Sequence, residues 1–263
     1  MVHMLGIEIR RCLARRLVRW LIVLAMLGCV VTAFVAHRSA SQASVLEPFR
    51  LAELHEPASG DSFIGVAAFF LVIGAVVGGA SMIGAEWRAG TFVTLLTWEP
   101  DRRRVAIAKL LACGIVATAV AVALQVVFTA AFLPAALGPG TMEGIDAEWW
   151  RSVAGTELRV ACVVGLAATF VASVAMVGRN TAAALGVAFA YVMVVESIVH
   201  AWKPWAGRFL VGANGAVFVT GRDLDDAPFT RSTVTAGLTL LGYAALAGIA
   251  AVVTFRRRDI AST

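Results

Sequence analysis

Few side chains in this sequence have the types and the spacing that metal binding or enzyme chemistry requires. The four histidines are scattered, without the His-Glu-x-x-His spacing that turns two imidazoles to one helix face around zinc. The four cysteines include no Cys-x-x-Cys pair, and no disulfide is expected between them. These residues are His3, His37, His55 and His200, and Cys12, Cys29, Cys113 and Cys162. The sequence therefore offers no candidate catalytic or metal-binding residue.

Lysine usage bears on nucleotide binding. A phosphate-binding loop of the form Gly-x-x-x-x-Gly-Lys-[Ser/Thr] holds phosphates with backbone amides and one lysine. Only two of the 22 basic residues are lysines; Lys109 is followed by Leu and Lys203 by Pro. We therefore predict that the chain is not an enzyme and holds no cofactor of its own. If the protein uses ATP, a partner subunit binds the ATP and Mg.

The composition indicates that lipid is the solvent. The chain is 60% hydrophobic and only 15% charged, with a mean hydropathy of +0.84, whereas soluble domains carry about 25% charged residues. Segments long enough to cross a hydrocarbon core of about 30 Å occur six times. The predicted spans are about 20–36, 63–83, 105–133, 160–177, 182–199 and 234–255. Because backbone groups in lipid need partners within their own span, we predict an all-α integral membrane protein with a six-span transmembrane domain over 20–255.

The loop charges predict the orientation. With a cytosolic N-terminus, most Lys and Arg residues fall on the inner side and most Asp and Glu residues on the outer side. Six spans then place both termini in the cytosol, including a short tail over 256–263. The strong preference for Arg over Lys favours a GC-rich bacterial source, and so a multi-pass protein of the bacterial cytoplasmic (inner) membrane.

The first 19 residues have the pattern of a basic amphipathic helix. Leu5, Ile9, Leu13 and Leu17 recur every four residues on one face. Glu8, Arg11, Arg15 and Arg19 line the opposite face. Such a helix lies in the cytosolic membrane interface, held by anionic lipid and shallow apolar burial. Its alternative is a plain basic flank that needs no helix.

Polar and small residues within the spans are the candidates for a transport path. Ion-coupled transporters usually need acidic residues deep in the bilayer, and Glu196 is the one candidate, close to the outer end of its span, where we expect water to reach it. Tyr191 lies one turn and a half before it. In the second span Gly74 and Gly78 have the small-xxx-small spacing of close helix packing, either within the chain or at a subunit seam.

The connector over 84–104 joins the second and third spans and is unusually charged and structured. Its charged residues are Glu86, Arg88, Glu99, Asp101, Arg102, Arg103 and Arg104. Ala89, Phe92, Val93 and Leu96 form an apolar stripe on a predicted short helix, which Pro100 ends. A bare turn would satisfy the topology, so this helix favours docking against a soluble cytosolic partner.

The connector resembles that of the type-2 ABC transporter permeases. The pattern Glu-x3-Gly-Thr-x3-Leu-Leu-x3-Pro-x2-Arg-x5-Lys falls on Glu86, Gly90, Thr91, Leu95, Leu96, Pro100, Arg103 and Lys109. The turn over 178–186, with Asn180 placed to cap the following helix, is similar to the link between that family's fourth and fifth spans. The six spans, the N-terminal helix and the long outer segment extend the resemblance over nearly the whole chain.

This resemblance implies a permease subunit that pairs with a second permease, identical or paralogous, and binds two copies of a cytosolic ATPase subunit. Phe92 and Leu96 would be the buried anchors in a cleft of the ATPase, with Glu86 and Arg103 as charged contacts at its edges. The implied ATPase contacts are Glu86, Trp87, Arg88, Gly90, Thr91, Phe92, Leu95, Leu96, Pro100, Arg103 and Arg179. Membrane lipid is a further expected partner, and nucleic acid is not expected.

The outer segment 200–232 is similar to the region that, in this family, caps the outer exit. Its apolar stretch, too short to cross the membrane, is either a re-entrant or interfacial hairpin or a folded surface loop. The expected substrate-path and exit residues are Gly74, Gly78, Tyr191, Glu196, Gly212 and Gly215.

Together these patterns favour a multidrug-efflux type exporter for an amphiphilic compound such as a drug, an antibiotic or a lipid-like molecule, with a role in antibiotic resistance. Two alternatives stay open. One is a secondary transporter, which would need buried acids or broken helices. The other is a membrane scaffold or sensor with a permease-like fold, which would not transport.

Overall fold

The computed structural model describes residues 1–42, 50–54, 63–223 and 229–257, and every regular element in these ranges is helical. Its α-helices are α1 (Val2–Ala14), α2 (Arg16–Gln42), α3 (Leu51–Leu54), α4 (Phe63–Arg88), α5 (Thr91–Trp98), α6 (Arg102–Leu137), α7 (Ala147–Gly178), α8 (Thr181–Ala190), α9 (Glu196–Trp202), α10 (Val211–Thr220) and α11 (Thr233–Arg257). A π-helical turn (Tyr191–Val195) joins α8 to α9, and a 3₁₀-helix (Pro204–Phe209) precedes α10.

Within the described ranges, six helical segments are long and apolar enough to cross a membrane, which confirms the predicted all-α architecture with six apolar helices. They are Arg16–Gln42, Ile64–Arg88, Arg102–Leu137, Ala147–Gly178, Thr181–Trp202 and Thr233–Arg257. The 36 residues of α6 and the 32 of α7 are about 54 and 48 Å long at 1.5 Å per residue. Both exceed the hydrocarbon core, and α7 begins well before the predicted start at 160.

Side-chain caps begin α6 and α8. The Asp101 carboxylate accepts hydrogen bonds from the backbone N–H groups of Arg103 and Arg104 at 3.0 and 3.1 Å, and so starts α6. Asn180 accepts from Ala182 at 2.8 Å at the start of α8, as its position predicts. These caps satisfy N–H groups that have no partner within the helix.

The tightest helix contacts lie along α7, which packs against α4, α6 and α11. A Cβ at Gly79 of α4 would come within 2.6 Å of the backbone oxygen of Ala168. Gly74 has no atom within 4 Å of such a Cβ, and Gly78 has only Leu21 Cδ1 at 3.9 Å. Gly79 is therefore a packing glycine of α4, as is Gly84, where a Cβ would meet the backbone nitrogen of Thr181 at 2.5 Å. Of the two alternatives for Gly74 and Gly78, close packing within the chain is not seen among the described residues, and a subunit seam stays a prediction.

The N-terminal helix turns a different face to the protein than its pattern predicts. Glu8 and Cys12 are buried against the core, while Leu13 and Leu17 are 43% and 40% exposed. Burial raises the pKa of the Cys12 thiol to about 11. The helix ends at Ala14, and Arg15 has an extended backbone that redirects the chain into α2. The face predicted to be solvated is thus partly the packing face.

The segment after α9 folds into a 3₁₀-helix and one ten-residue helix, α10. This replaces the predicted hairpin, since Val211–Thr220 runs as one helix that Gly221 ends with a positive φ of 67°. Part of the predicted 200–232 segment, residues 224–228, lies outside the described residues, as does most of the predicted tail, 258–263.

Candidate functional site

The connector between α4 and α6 folds as a separate short helix, and the part of the molecule around it is called the connector end below. Gly90 adopts a positive φ of 65° and separates α4 from α5. A left-handed backbone of this kind favours glycine. The Thr91 hydroxyl donates to the Glu86 carbonyl at 3.1 Å, and Pro100 follows the end of α5. The sequence thus places α5 as a rigid block with defined faces.

The inner face of α5 is part of the protein's own core. Phe92 is 1% exposed, with its ring centroid 4.5 Å from that of Trp87 and 5.3 Å from that of Phe255. Leu95 and Leu96 are half-buried against the same cluster. The prediction that Phe92 anchors a partner is therefore wrong, because α11 and α4 already cover its side chain.

Glu86 is also turned inward, into a buried charge network. Its carboxylate lies 2.6 Å from the Lys109 ammonium and 2.8 Å from the Arg15 guanidinium. Lys109 lies 2.8 Å from Glu8 of α1 as well. The expectation that Glu86 contacts a partner at the edge of a cleft is corrected by this burial, since Glu86 is 7% exposed.

The network joins three helices at one point beneath α5. Glu8 belongs to α1, Glu86 to α4 and Lys109 to α6, and the Lys109 ammonium lies 5.4 Å from the centre of the Phe92 ring of α5. Lys109 is fully buried and Glu8 is 1% exposed. Charges at such depth persist only when they are paired, since removal of one partner is strongly destabilising. The network therefore holds α1, α4 and α6 in one arrangement.

Arg179, in the turn between α7 and α8, joins the same cluster. Its guanidinium carbon lies 4.7 Å from the centre of the Trp87 ring, a stacking distance that favours a cation on an aromatic face. Arg179 has a positive φ of 54°, which suits the sharp turn. The connector and the turn over 178–186, which both carry the family resemblance, thus meet at the connector end.

The outer face of α5 is open, and it carries Trp98, a residue that the sequence patterns did not single out. Trp98 is 84% exposed and Val93 is 41% exposed. Thr94 and Thr97 are exposed between them, so that the four residues share one face at spacings of one and four. The signal for Trp98 was a large aromatic residue two positions before the proline that ends the connector helix.

The remaining predicted contacts divide by exposure. Arg88, Gly90, Pro100 and Arg103 are exposed, and Trp87, Thr91, Leu95, Leu96 and Arg179 are half-buried. An open cleft of about 390 Å³ lies beside α5, between α1 and the end of α4. It is lined by Arg11, Ala14, Arg15, Ala85, Glu86, Ala89 and Thr91. The connector end thus offers an aromatic face next to a partly basic cleft.

At the opposite end of the helices, Glu196 organises the segment before α10. Both carboxylate oxygens accept from the Gly212 N–H, at 3.0 and 2.9 Å, in the first turn of α10, where negative charge is favourable. Glu196 is 9% exposed, so the expectation of a water-exposed side chain is corrected. A Cβ at Gly212 would meet its carboxylate at 2.4 Å, whereas Gly215 has no atom within 4 Å.

A second polar residue at this end, Asn214, has no counterpart in the predictions. It is 1% exposed and donates to the carbonyls of Arg208 and Leu210 at 3.0 and 2.7 Å. Arg231 donates to its amide oxygen at 2.8 Å. Tyr191 is half-buried at the start of the π-helical turn. Glu196 and Asn214 therefore pin the segment over the ends of α9 and α11.

Within the described ranges, no group of three His, Cys, Asp or Glu side chains is placed to hold a metal ion. The buried ionisable groups of the connector end are paired with one another, as an architectural network requires.

The chain matches a known protein family. A family model described as "ABC-2 family transporter protein" matches residues 10–195, which is more than half of the chain. The matched range begins in α1 and includes α5, the turn at Arg179 and three residues of the buried charge network, Arg15, Glu86 and Lys109, while Glu8 lies just before it. No curated protein matches the chain.

Proposed function

The chain belongs to the ABC-2 family of transporter proteins, and from this premise we propose that it is a permease subunit through which a separate ATPase drives the export of an amphiphilic small molecule. Membership of this family makes it a multi-pass membrane subunit that works with an ABC ATPase. The direction of transport, the cargo and the residues that meet the ATPase are the proposed part.

The observation that carries the proposal is the open face of α5. Trp98, at 84% exposure, is a large aromatic side chain on a rigid helix outside the six apolar segments. Exposed aromatic residues of this kind are enriched among the residues that dominate binding at protein interfaces. Val93, Thr94 and Thr97 extend the face, and the exposed Arg88 and Arg103 supply charge at its edges.

The inner face of α5 explains how docking would reach the membrane helices. Phe92 packs on Trp87 of α4 and on Phe255 of α11, and its ring lies over Lys109 of α6. A push on α5 would therefore act on three long helices at once. Buried, close-packed contacts transmit displacement because they have little room to deform.

The cargo is proposed from the character of the helices. The six apolar segments have mean hydropathies of 2.0 to 2.4, which suits a compound that partitions into lipid. At the end opposite the connector, Thr129 of α6 donates to the Glu157 carboxylate of α7 at 2.7 Å. This polar contact could meet the polar part of an amphiphile such as a drug, an antibiotic or a lipid-like molecule.

A second permease copy and placement in the bacterial inner membrane, with both termini cytosolic, complete the proposal. Among the described residues, no atom lies within 4 Å of a Cβ built at Gly74, and only Leu21 Cδ1, at 3.9 Å, approaches one built at Gly78. Small residues allow close helix approach, so the face of α4 that contains Gly74 and Gly78 suits a seam with a second permease, identical or paralogous. Each permease would then dock one of two ATPase subunits.

The experiment replaces Trp98 with Ala and measures co-purification of the ATPase and transport into inverted vesicles. Truncation of an aromatic hot spot typically costs at least about 2 kcal/mol, or about 30-fold in affinity. Trp202→Ala is the matched control, since Trp202 is 77% exposed at the other end of the molecule. Unchanged ATPase binding and transport in Trp98→Ala would contradict the docking role of α5.

A further control separates the proposed export from secondary transport. Transport by the unaltered permease should stop when the ATPase subunit lacks the carboxylate residue that it needs for ATP hydrolysis. Transport should persist when an ionophore collapses the proton gradient. The reverse pattern would show that the chain transports without the ATPase.

A further inference from the structure

The surface of the N-terminal helix has a single sign of charge. Residues 1–20 contain five arginines and one acidic residue, Glu8. Glu8 is 1% exposed, and Lys109 neutralises it from α6 at 2.8 Å. The exposed charged side chains of α1 and the first turn of α2 are therefore all cationic: Arg10, Arg11, Arg16 and Arg19.

Apolar side chains are exposed beside these arginines. Leu13 and Leu17 are 43% and 40% exposed, and Trp20 is 71% exposed. They continue directly into the outward apolar face of α2, a helix long enough to cross the membrane. Cationic and apolar side chains in this arrangement are typical of a segment that binds anionic headgroups at a membrane interface.

The same helix is tied to the connector. Glu8 pairs with Lys109, and Lys109 pairs with Glu86, at 2.8 and 2.6 Å. Arg15, at the junction of α1 and α2, holds Glu86 at 2.8 Å and donates to the Ser81 carbonyl at 3.1 Å. Displacement of α1 would thus separate Glu8 from Lys109 and Arg15 from Glu86, beneath α5.

We propose that α1 binds anionic phospholipid headgroups, and that the network of Glu8, Lys109, Glu86 and Arg15 passes the resulting stabilisation to α5. Anionic lipid then acts as a ligand of the permease that keeps the connector helix in place. The proposal rests on the cytosolic placement of α1 and not on docking of an ATPase, so it can be tested on the purified permease alone.

The test compares amide hydrogen exchange in nanodiscs of phosphatidylcholine with nanodiscs that contain 30% phosphatidylglycerol. Each arginine near an anionic surface contributes about a fivefold gain in binding. We therefore expect the anionic lipid to slow exchange at least about tenfold in α1, with a smaller slowing in α5. The amides of α10, at the opposite end of the molecule from α1 and α5, serve as the internal reference.

Two variants separate lipid binding from its transmission. Replacement of Arg10, Arg16 and Arg19 with Gln leaves the pair of Arg11 with Glu8 at 3.2 Å intact and should remove most of the lipid response in both α1 and α5. Glu8→Gln keeps the shape of the side chain but weakens its pairing with Lys109. In this variant α1 should keep its lipid response while α5 loses it. Arg256→Gln with Arg257→Gln, also exposed arginines, is the matched control and should respond as the unaltered protein does.

Three results would overturn the proposal. The first is equal exchange in both nanodiscs for the unaltered protein. The second is an α5 lipid response that survives Glu8→Gln. The third is protection of α1 that appears only when the ATPase subunit is added, because the cationic surface would then be a protein contact. Each of these results is compatible with normal export and normal ATPase binding in pure phosphatidylcholine. The lipid proposal can therefore fail while the proposed export function stands.

Discussion

Lys109→Met tests how much the structure depends on the buried charge network. The Lys109 ammonium lies 2.6 Å from Glu86 and 2.8 Å from Glu8. At an effective dielectric constant of about 20, each attraction amounts to about 6 kcal/mol, and desolvation of the charges offsets several kcal/mol per ion. Methionine would remove the cation that the two buried carboxylates share, leaving Glu86 with Arg15 alone at 2.8 Å and Glu8 with Arg11 alone at 3.2 Å. We expect destabilisation of about 3–5 kcal/mol, the usual cost of breaking a buried pair.

The assay is thermal unfolding of the detergent-purified permease, followed by loss of the monodisperse protein peak. By the scaling of soluble domains of similar size, about 3–5 kcal/mol lowers Tm by about 10 °C. Lys203→Met is the matched control, because Lys203 is exposed, and it should unfold like the unaltered protein.

A triple variant then distinguishes lost charge balance from lost packing. Lys109→Met combined with Glu8→Gln and Glu86→Gln removes the two carboxylates, so it should unfold at a higher temperature than Lys109→Met alone. Residues within one charge network are expected to be non-additive by about 0.5–3 kcal/mol. If Lys109→Met unfolds like the control, or if the three changes simply add, the network does not hold the helices together.

Three further outcomes follow from single features of the structure. Gly79→Val should destabilise the protein by about 1–3 kcal/mol because its side chain would press on the backbone of α7, whereas Gly74→Ala should not; unfolding temperatures decide. A reporter that is active only in the cytosol should be active within 97–101 and silent within 140–146, and activity at both sites would contradict the six-span orientation. Cys12 should resist maleimide in the folded protein, since burial raises its pKa to about 11; its labelling should rise with pH as thiolate forms, and rapid labelling at pH 7 would contradict its burial.

The sequence predicts local features of this fold well. Asp101 and Asn180 cap helices where their positions indicate, because a cap depends only on the next two or three residues. The six apolar helices follow from hydropathy, since lipid imposes a minimum length. The boundaries are less accurate for α7, where polar residues continue the helix beyond the apolar stretch.

The tertiary contacts of the connector could not be predicted in the same way. Periodicity shows that Phe92 lies on an apolar stripe, but it does not show whether α11 or another protein covers that stripe. The pairing of Glu8 with Lys109 joins residues 101 positions apart, and no local pattern encodes it. Trp98 was missed because it lies off the stripe, on the face that the fold leaves open.

Because the inner face of the connector is buried, residues of its sequence pattern have contacts within the permease in place of the predicted contacts with a partner. Glu86 and Lys109, two of the residues in the connector pattern, bind each other inside the chain, so their types are required by the permease alone. An ion pair at this depth adds little net stability compared with apolar packing, but it tolerates only one geometry because each charge needs its partner. The pair therefore positions α5 more than it stabilises the fold. Residues that contact a partner would then lie outside this pattern and could differ from one permease to another. Trp98 lies on the open face, so the residue at this position would help to set which ATPase the permease accepts.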